Sequence, residues 1–229
     1  MTAILNVNNP LLAGLKSARA NFIPGLLVQA LMALVVAAYY LYPPARDWFQ
    51  AVGDAKARLG FGFSIAGAAI AGALIPELLK IVCFQRGKPT PLNARNLMFT
   101  VPYWAYSGFV VDAFYRGQAL WFGTAVTTLV IAKKVLIDQF VFNVVYQAPI
   151  TVIAYDWKNG GYSLQGAREW FARKYYAQRI LPGLVATWGV WIPLVCLIYA
   201  LPSLLQTPLF TLALSLWVMI FTWMSEQKA

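Results

Sequence analysis

Residues 60–83 read GFGFSIAGAAIAGALIPELLKIVC, and this run decides the fold class. It exceeds the roughly 20 apolar residues that a helix needs to cross a bilayer. Small side chains recur at every fourth position, at Ser64, Ala68 and Gly72, so they share one helix face. In lipid, such a ridge lets another helix backbone approach closely. We predict a spanning helix that packs through this ridge; the alternative is a stripe of small residues that lines a pore.

The rest of the chain repeats this apolar character. Hydrophobic residues make up 60% of the sequence and charged residues 11%, whereas a soluble domain is about a quarter charged. Further candidate spans cover residues 22–42, 97–114, 135–155, 180–201 and 203–224. We therefore predict an all-α membrane protein: a single transmembrane domain over 1–229, with a bundle of about six transmembrane helices.

Residues 120–155 are too long for one upright span, since a helix rises about 1.5 Å per residue. We expect a leading segment that ends near Ala132, a break at Lys133–Lys134 and then a true span. The alternative is one continuous helix that projects past the membrane.

Residues 163–179 show apolar side chains at spacings of three and four, with Ser163 placed to cap a helix. Basic residues take most of the remaining surface: Arg168, Arg173, Lys174 and Arg179. This pattern predicts an amphipathic helix in the membrane interface, with those residues on anionic lipid headgroups, cardiolipin among them. A helix that packs on a soluble neighbour is the alternative.

The formal net charge is +10, and the Lys and Arg residues fall in short connectors between apolar runs. A nucleic-acid-binding domain would instead carry them as a stripe on a soluble surface, so we expect no nucleic acid partner. With six spans, both termini lie on one side of the membrane, and the connectors on the other side hold only Arg46, Lys56, Arg58 and Arg116. The first three of these fall in a stretch after residue 42 that we predict to be a polar, helix-breaking connector. The positive-inside rule then places both termini on the matrix or cytoplasmic side.

Ionisable groups within predicted spans are functional candidates, because they are costly in a bilayer. They are Glu77, Asp112, Lys133, Lys134 and Asp138. A polar strip along one helix begins at Asp138 and continues through Gln139, Asn143 and Gln147. The strip predicts either a polar path through the bundle or intramembrane pairing, in which Lys134 and Asp138, four residues apart, neutralise each other. In the pairing interpretation, Glu77 and Asp112 lie near the interface and pair with basic connectors.

Catalysis finds little support in the sequence. The chain has no His and shows no metal-ligand cluster, no Gly-rich phosphate loop and no suggestively spaced carboxylate pair. The two cysteines lie in apolar runs and are expected to be inert thiols. We predict a protein that is not an enzyme, with no catalytic residue, metal or cofactor.

Residues 133–140 read KKVLIDQF, in which a Lys is followed after three residues by Asp-Gln and an apolar span. This motif resembles the most diagnostic stretch of the Mpv-seventeen/peroxisomal membrane protein family, small helical proteins of the mitochondrial inner membrane and peroxisomes. Pro102 with Asp112, Asn159-Gly160 and the hairpin that begins at Leu181-Pro182 are similar in spacing. The resemblance covers residues 58–229, and the span at 22–42 looks like an N-terminal addition.

The resemblance implies a multi-pass protein of the mitochondrial inner membrane. One implied function is a weakly selective channel or metabolite pore, lined by the strip from Asp138 to Gln147. The alternative is a non-catalytic accessory subunit, a scaffold in a large membrane complex such as a respiratory or ATP synthase assembly. Expected partners are anionic membrane lipids and other protein subunits, or further copies of the chain. A lipid-modifying enzyme has the weakest basis, because candidate catalytic groups are lacking.

Overall fold

The structure, a computed structural model, describes residues 9–226, and these are almost wholly helical, without a strand. Eight long helices follow one another: α1 (Pro10–Ala20), α2 (Phe22–Leu41), α3 (Pro43–Leu59), α4 (Phe61–Phe84), α5 (Pro91–Phe122), α6 (128–159), α7 (Arg173–Tyr199) and α8 (Ser203–Glu226). A short 3₁₀ turn, Ala167–Phe171, lies between α6 and α7. The all-α prediction is confirmed.

Four helices of the described region are long and apolar enough to cross a membrane: α2, α4, α7 and, as far as Met224, α8. They match four of the predicted spans and are compatible with a multi-pass membrane protein. The other two predicted spans lie in α5 and α6, which carry more polar and charged side chains. The count of about six spans therefore stays a prediction.

Two predicted interruptions are wrong. Residues 43–59 form the helix α3 instead of a helix-breaking connector, because Pro43 and Pro44 stand in its first turn, where proline is tolerated. The break expected at Lys133–Lys134 is also absent, since α6 runs continuously from 128 to 159. Neither lysine disfavours a helix, and Pro149 stands two residues after a π-helical stretch, Asp138–Gln147, that widens the turns before it.

The prediction of one amphipathic helix over residues 163–179 is wrong as well. Gly166 adopts the left-handed region with φ of +80°, and Ala172 is extended with ψ of 139°, so the chain turns twice before α7 begins at Arg173. The Ser163 hydroxyl accepts a hydrogen bond from the backbone N–H of Gln165 at 3.1 Å and thus caps a local turn. The interfacial position of this segment remains a prediction.

The chain forms two compact units. The first comprises residues up to Leu26 together with Val135–Pro193, and the second comprises Leu27–Lys134 together with the segment from Leu194 onward. The single domain over 1–229 and the sidedness of the termini both involve ends that lie outside residues 9–226, and both remain predictions.

The second unit is built on the antiparallel pair α4 and α5, with α8 packed against α3, α4 and α5. The predicted ridge on α4 faces α5. A Cβ placed on Gly108 of α5 would lie 2.3 Å from the Ser64 carbonyl oxygen and 2.6 Å from the Ala68 Cβ. A Cβ on Gly72 would lie 2.2 Å from the Trp104 ring. The two helices are therefore in backbone-level contact, as small residues permit in lipid.

In the first unit, α1 and the start of α2 approach α7 through glycines. A Cβ on Gly14 would lie 2.8 Å from the Val185 Cβ, and one on Gly25 would lie 2.6 Å from a Val190 methyl. Helix α6 is tied to α7 by the Trp188 indole, which donates to the Gln139 carbonyl at 3.3 Å. Side-chain bulk at either glycine would separate these helices.

Candidate functional site

The most densely bonded polar group of the second unit is the Asp112 carboxylate on α5, which is only 2% exposed. Oδ2 pairs with the Lys56 ammonium from α3 and accepts from the Ser64 hydroxyl of α4 at 3.0 Å. Oδ1 accepts from Arg116 at 3.2 Å and from the Thr207 hydroxyl of α8 at 3.4 Å. Four helices thus meet on one carboxylate. We call Lys56, Ser64, Asp112, Arg116 and Thr207 the Asp112 centre.

Local structure explains how Lys56 reaches this position. Its side chain follows the half-buried Phe49 and the buried Gly53 along one stripe of α3, so it is carried inward. Gly60 then ends α3 with φ of +56°, a conformation that favours glycine, and the chain enters α4 at Phe61. The Lys56 ammonium donates to the Gly60 carbonyl at 2.9 Å, which fixes the corner between the two helices.

The Lys56 ammonium and the Asp112 carboxylate have their hydrogen-bonding capacity filled. The three ammonium hydrogens of Lys56 have three acceptors, namely Gly60, Ser64 and Asp112. Burial lowers the pKa of Lys56, and the hydrogen bond and charge of Asp112 oppose that shift. The Arg116 guanidinium also lies over the Phe61 ring, 4.4 Å from its centroid. Such a site holds helices together, and its reactive atoms are already engaged.

A second polar cluster lies toward the other ends of α4 and α5. The buried Glu77 accepts from the Asn93 amide at 2.7 Å and from the Asn96 amide at 3.3 Å. Lys80 lies 3.3 Å from Glu77 and 3.8 Å from Glu226 of α8. Asn93 also accepts from the Thr90 amide at 2.7 Å and so caps α5. We call this group the Glu77 centre.

Close packing fills the interval between the two centres. Ala68, Ala71, Gly72 and Ala73 of α4 are buried, and Ala68 and Gly72 lie against Gly108 and Trp104 of α5. The Thr100 hydroxyl is bonded back to the Asn96 carbonyl at 3.0 Å, so it presents its methyl group to the neighbouring helix. The predicted ridge is therefore a packing surface here, and its residues do not line an open passage between α4 and α5.

The predicted polar strip lies on the π-helical part of α6. Asp138 and Gln139 are buried, whereas Asn143 and Gln147 are half-buried. The Gln139 amide donates to Asp138 at 2.7 Å, and Gln139 Oε1 is buried without a hydrogen-bond partner. The Gln147 amide reaches the Thr151 hydroxyl at 3.5 Å. π-Helical stretches are frequent at functional sites, and a buried orphan carbonyl calls for an explanation.

The remaining predicted residues divide between buried and exposed positions. Lys134 is buried, with its ammonium 5.7 Å from the centroid of the Tyr199 ring, whereas Lys133 is exposed. Arg168, Arg173 and Lys174 are exposed, as headgroup binding requires. Arg179 is half-exposed and bonded to Asp156 through both Nε and Nη2, at 3.1 and 2.6 Å. Its guanidinium is thus engaged within the chain.

Sequence reasoning did not single out most partners in these two centres, namely Lys56, Arg116 and Thr207 around Asp112 and Lys80, Asn93, Asn96 and Glu226 around Glu77. Lys56 and Asn93 were assigned to connectors, and Thr207 was read as part of an apolar run. The signal for Lys56 was its spacing of seven from Phe49 on a helical stripe. Nothing in the local sequence marks Asn93 or Thr207, whose partners are 16 and 95 residues away.

In the region between residues 9 and 226, no three His, Cys, Asp or Glu side chains lie close enough to hold a metal ion. The chain matches no family model, no curated protein and no solved structure.

Proposed function

We propose that this chain is a non-catalytic structural subunit of a larger membrane assembly, in the mitochondrial inner membrane. The Asp112 centre carries this proposal, because its buried Lys56–Asp112 charge pair and the hydroxyl groups bonded to it join four helices of the bundle. A transport site needs groups that exchange partners with a solute, whereas this carboxylate is already bonded on both oxygens.

The spacing of the two centres supports α5 as a further spanning helix. Asn93 and Asp112 are 19 residues apart on α5, which corresponds to about 28 Å of helix. The hydrocarbon core of a bilayer is about 30 Å thick. Polar centres at these two levels would lie near the two interfaces, and the close-packed interval between them would occupy the hydrocarbon.

Helix α3 then takes an interfacial role that the sequence had not predicted for it. It links the end of α2 to the start of α4, two helices that are apolar enough to span. Since α3 carries five charged residues, it does not itself cross, so both its ends lie at one membrane surface. It lies along that surface for about 25 Å. Trp48 on α3 is 79% exposed, as an interfacial anchor would be.

Part of the apolar helix surface remains available for lipids and for other subunits. In the most apolar 18-residue stretch of each candidate span, only 22% of the residues of α2 are buried within the chain, and 33% of those of α4, α7 and α8. The other residues are half-buried or exposed within the chain, and their surface is open to lipid or to helices of other subunits. The exposed cations Arg168, Arg173 and Lys174 suit anionic headgroups, cardiolipin among them. The KKVLIDQF motif adds the resemblance to the Mpv-seventeen/peroxisomal membrane protein family.

Native electrophoresis of mitochondrial membranes in mild detergent tests the scaffold proposal. We expect the chain in one sharp band of very high mass, together with co-purifying subunits. The variant Gly108→Leu should abolish this band, because α4 and α5 cannot close around the added side chain, while Gly183→Leu, at a glycine with open space around it, should leave it unchanged. Migration of the wild-type chain as a small species would contradict the proposal.

A channel is the second candidate, and the orphan Oε1 of Gln139 favours it. That buried carbonyl would be satisfied by water or by a solute moving along the strip from Asp138 to Gln147. Purified protein in planar bilayers should then conduct, and Asp138→Asn should change the conductance or the selectivity. Bilayers that stay silent at all voltages would count against the channel and leave the scaffold proposal standing.

A further inference from the structure

An open groove of about 750 Å³ lies in the second unit among α2, α3, α4 and α8. Its walls include Val35 of α2, Phe49 and Val52 of α3, Phe63 of α4 and Leu209 of α8. The volume falls in the range of small-molecule sites, about 300–1,000 Å³. The lining is almost wholly apolar, so an occupant would be held by its hydrocarbon surface.

The two hydroxyl groups of the lining are turned away from the groove. Thr211 Oγ1 donates to the Thr207 carbonyl at 3.0 Å, and Ser215 Oγ donates to the Thr211 carbonyl at 2.8 Å. Each hydroxyl is thus satisfied by its own helix and leaves methyl or methylene groups for the groove. An occupant with polar groups along its length would gain no partner here, whereas an alkyl chain would lose none.

The residue next to the α3 end of the groove carries a positive charge. Arg58 directly precedes the lining residue Leu59, and its exposed side chain has no ion pair among residues 9–226. If α3 lies along the membrane surface, as proposed above, Arg58 is at headgroup level while the walls formed by α4 and α8 extend into the hydrocarbon. An apolar groove beneath a surface cation is complementary to an anionic lipid.

We propose that this groove binds one acyl chain of an anionic phospholipid, whose headgroup pairs with Arg58. The proposal rests on the membrane position of α3 and does not depend on whether the chain serves as scaffold or channel. Native electrophoresis tests the scaffold and lipid retention tests the groove, so the two can fail separately.

Gly62 provides the sharpest variant. It lines the groove, and a Cβ built there meets nothing within 4 Å, so Gly62→Leu fills the groove without disturbing a packed contact. Ser215→Leu fills it from α8. Gly183→Leu is the matched control, because Gly183 is also a helical glycine with open space but lies outside the groove. Arg58→Gln removes the charge and leaves the groove intact.

Native mass spectrometry of the full chain, purified in mild detergent with added phosphatidylglycerol or phosphatidylcholine, gives the readout. We expect one retained phospholipid with a preference for phosphatidylglycerol. Gly62→Leu and Ser215→Leu should lower this occupancy by about tenfold or more, since each methylene displaced from the groove weakens binding several-fold. Gly183→Leu should bind as the wild type does, and Arg58→Gln should keep the lipid but lose the preference.

Three results would overturn the proposal. In the first, the wild-type protein retains no phospholipid at saturating lipid; in the second, the filled variants retain as much phospholipid as the wild type. In the third, the filled variants lose a second copy of the chain or a partner subunit instead of a lipid. An unchanged lipid preference in Arg58→Gln would overturn the headgroup assignment. Near-ultraviolet circular dichroism confirms that each variant is folded, and if one filled variant is not, the other decides.

Discussion

Two buried polar groups in this chain are built in opposite ways. At the Asp112 centre, both carboxylate oxygens and the Lys56 ammonium are bonded by groups from four helices. At Asp138 and Gln139, two neighbours on one helix bond to each other, and the Gln139 carbonyl oxygen has no partner. The first arrangement gains its bonds from four helices, whereas the Gln139 side chain bonds to the residue beside it on its own helix.

The difference leads to different expectations for stability. A saturated charge pair is strongly coupled to the fold, because removal of one member leaves the other buried and uncompensated. A buried polar atom without a partner costs about 1–3 kcal/mol of stability, so its removal is expected to cost little. Variants that act on one group and not on the other can test this distinction.

The largest effect is expected for Lys56→Met. It leaves the Asp112 carboxylate buried with Arg116 as its remaining cation, and loss of one partner of a buried pair costs about 3–5 kcal/mol. Arg116→Gln is the matched control on the same carboxylate. Because the Arg116 side chain is 49% exposed, we expect it to cost at most about 1 kcal/mol. Reversible unfolding in mixed micelles gives both values; equal losses would refute the distinction between the buried and the exposed cation.

Gly108→Ala should follow. The added Cβ meets the Ser64 carbonyl at 2.3 Å, so α4 and α5 must separate, and we expect a loss of about 2–3 kcal/mol. Gly62→Ala is the control, since it adds the same atom on α4 where nothing lies within 4 Å. It should stabilise the helix by up to about 1 kcal/mol. A stabilised Gly108→Ala protein would show that the two helices are not in close contact.

Glu77→Gln should have a smaller effect, about 1–2 kcal/mol. The amide keeps an acceptor for Asn93, and Lys80 is 27% exposed and has Glu226 as a second partner. The same unfolding assay measures this loss. A cost as large as that of Lys56→Met would show that the Glu77 centre, too, depends on one buried charge.

The sequence predicted the all-helical class and the four long apolar helices well and the polar contacts poorly, for a physical reason. The span at 60–83 and its Ser64–Ala68–Gly72 ridge follow from composition and period, which are local properties. By contrast, α3 was read as a connector because Pro43, Pro44 and five charges masked its apolar stripe.

Long-range partners could not be read in the same way. Asp112 and Glu77 stood out as costly charges in apolar runs, yet Lys56 lies 56 residues from Asp112. The 163–179 segment shows the converse error, since its helical spacing was real but Gly166 and Ala172 turn the chain twice. Backbone conformation overrode the side-chain pattern there.

The smallest effect on stability is expected for Gln139→Met. It removes a hydrogen bond to Asp138 but also removes the unpartnered carbonyl oxygen, and these contributions offset to within about 1 kcal/mol. A loss above 2 kcal/mol would mean that the carbonyl has a structural partner. If the strip conducts, this variant should change the current in planar bilayers while its stability stays near that of the wild type.

A double-mutant cycle of Lys56→Met and Asp112→Leu tests the central claim most directly, namely that the buried Lys56 and Asp112 of the second unit neutralise each other. Unfolding free energies of the wild type, both single variants and the double variant give the coupling. We predict a favourable coupling of about 2–3 kcal/mol, with the double variant more stable than Lys56→Met alone. Losses that add to within about 0.5 kcal/mol would contradict the account.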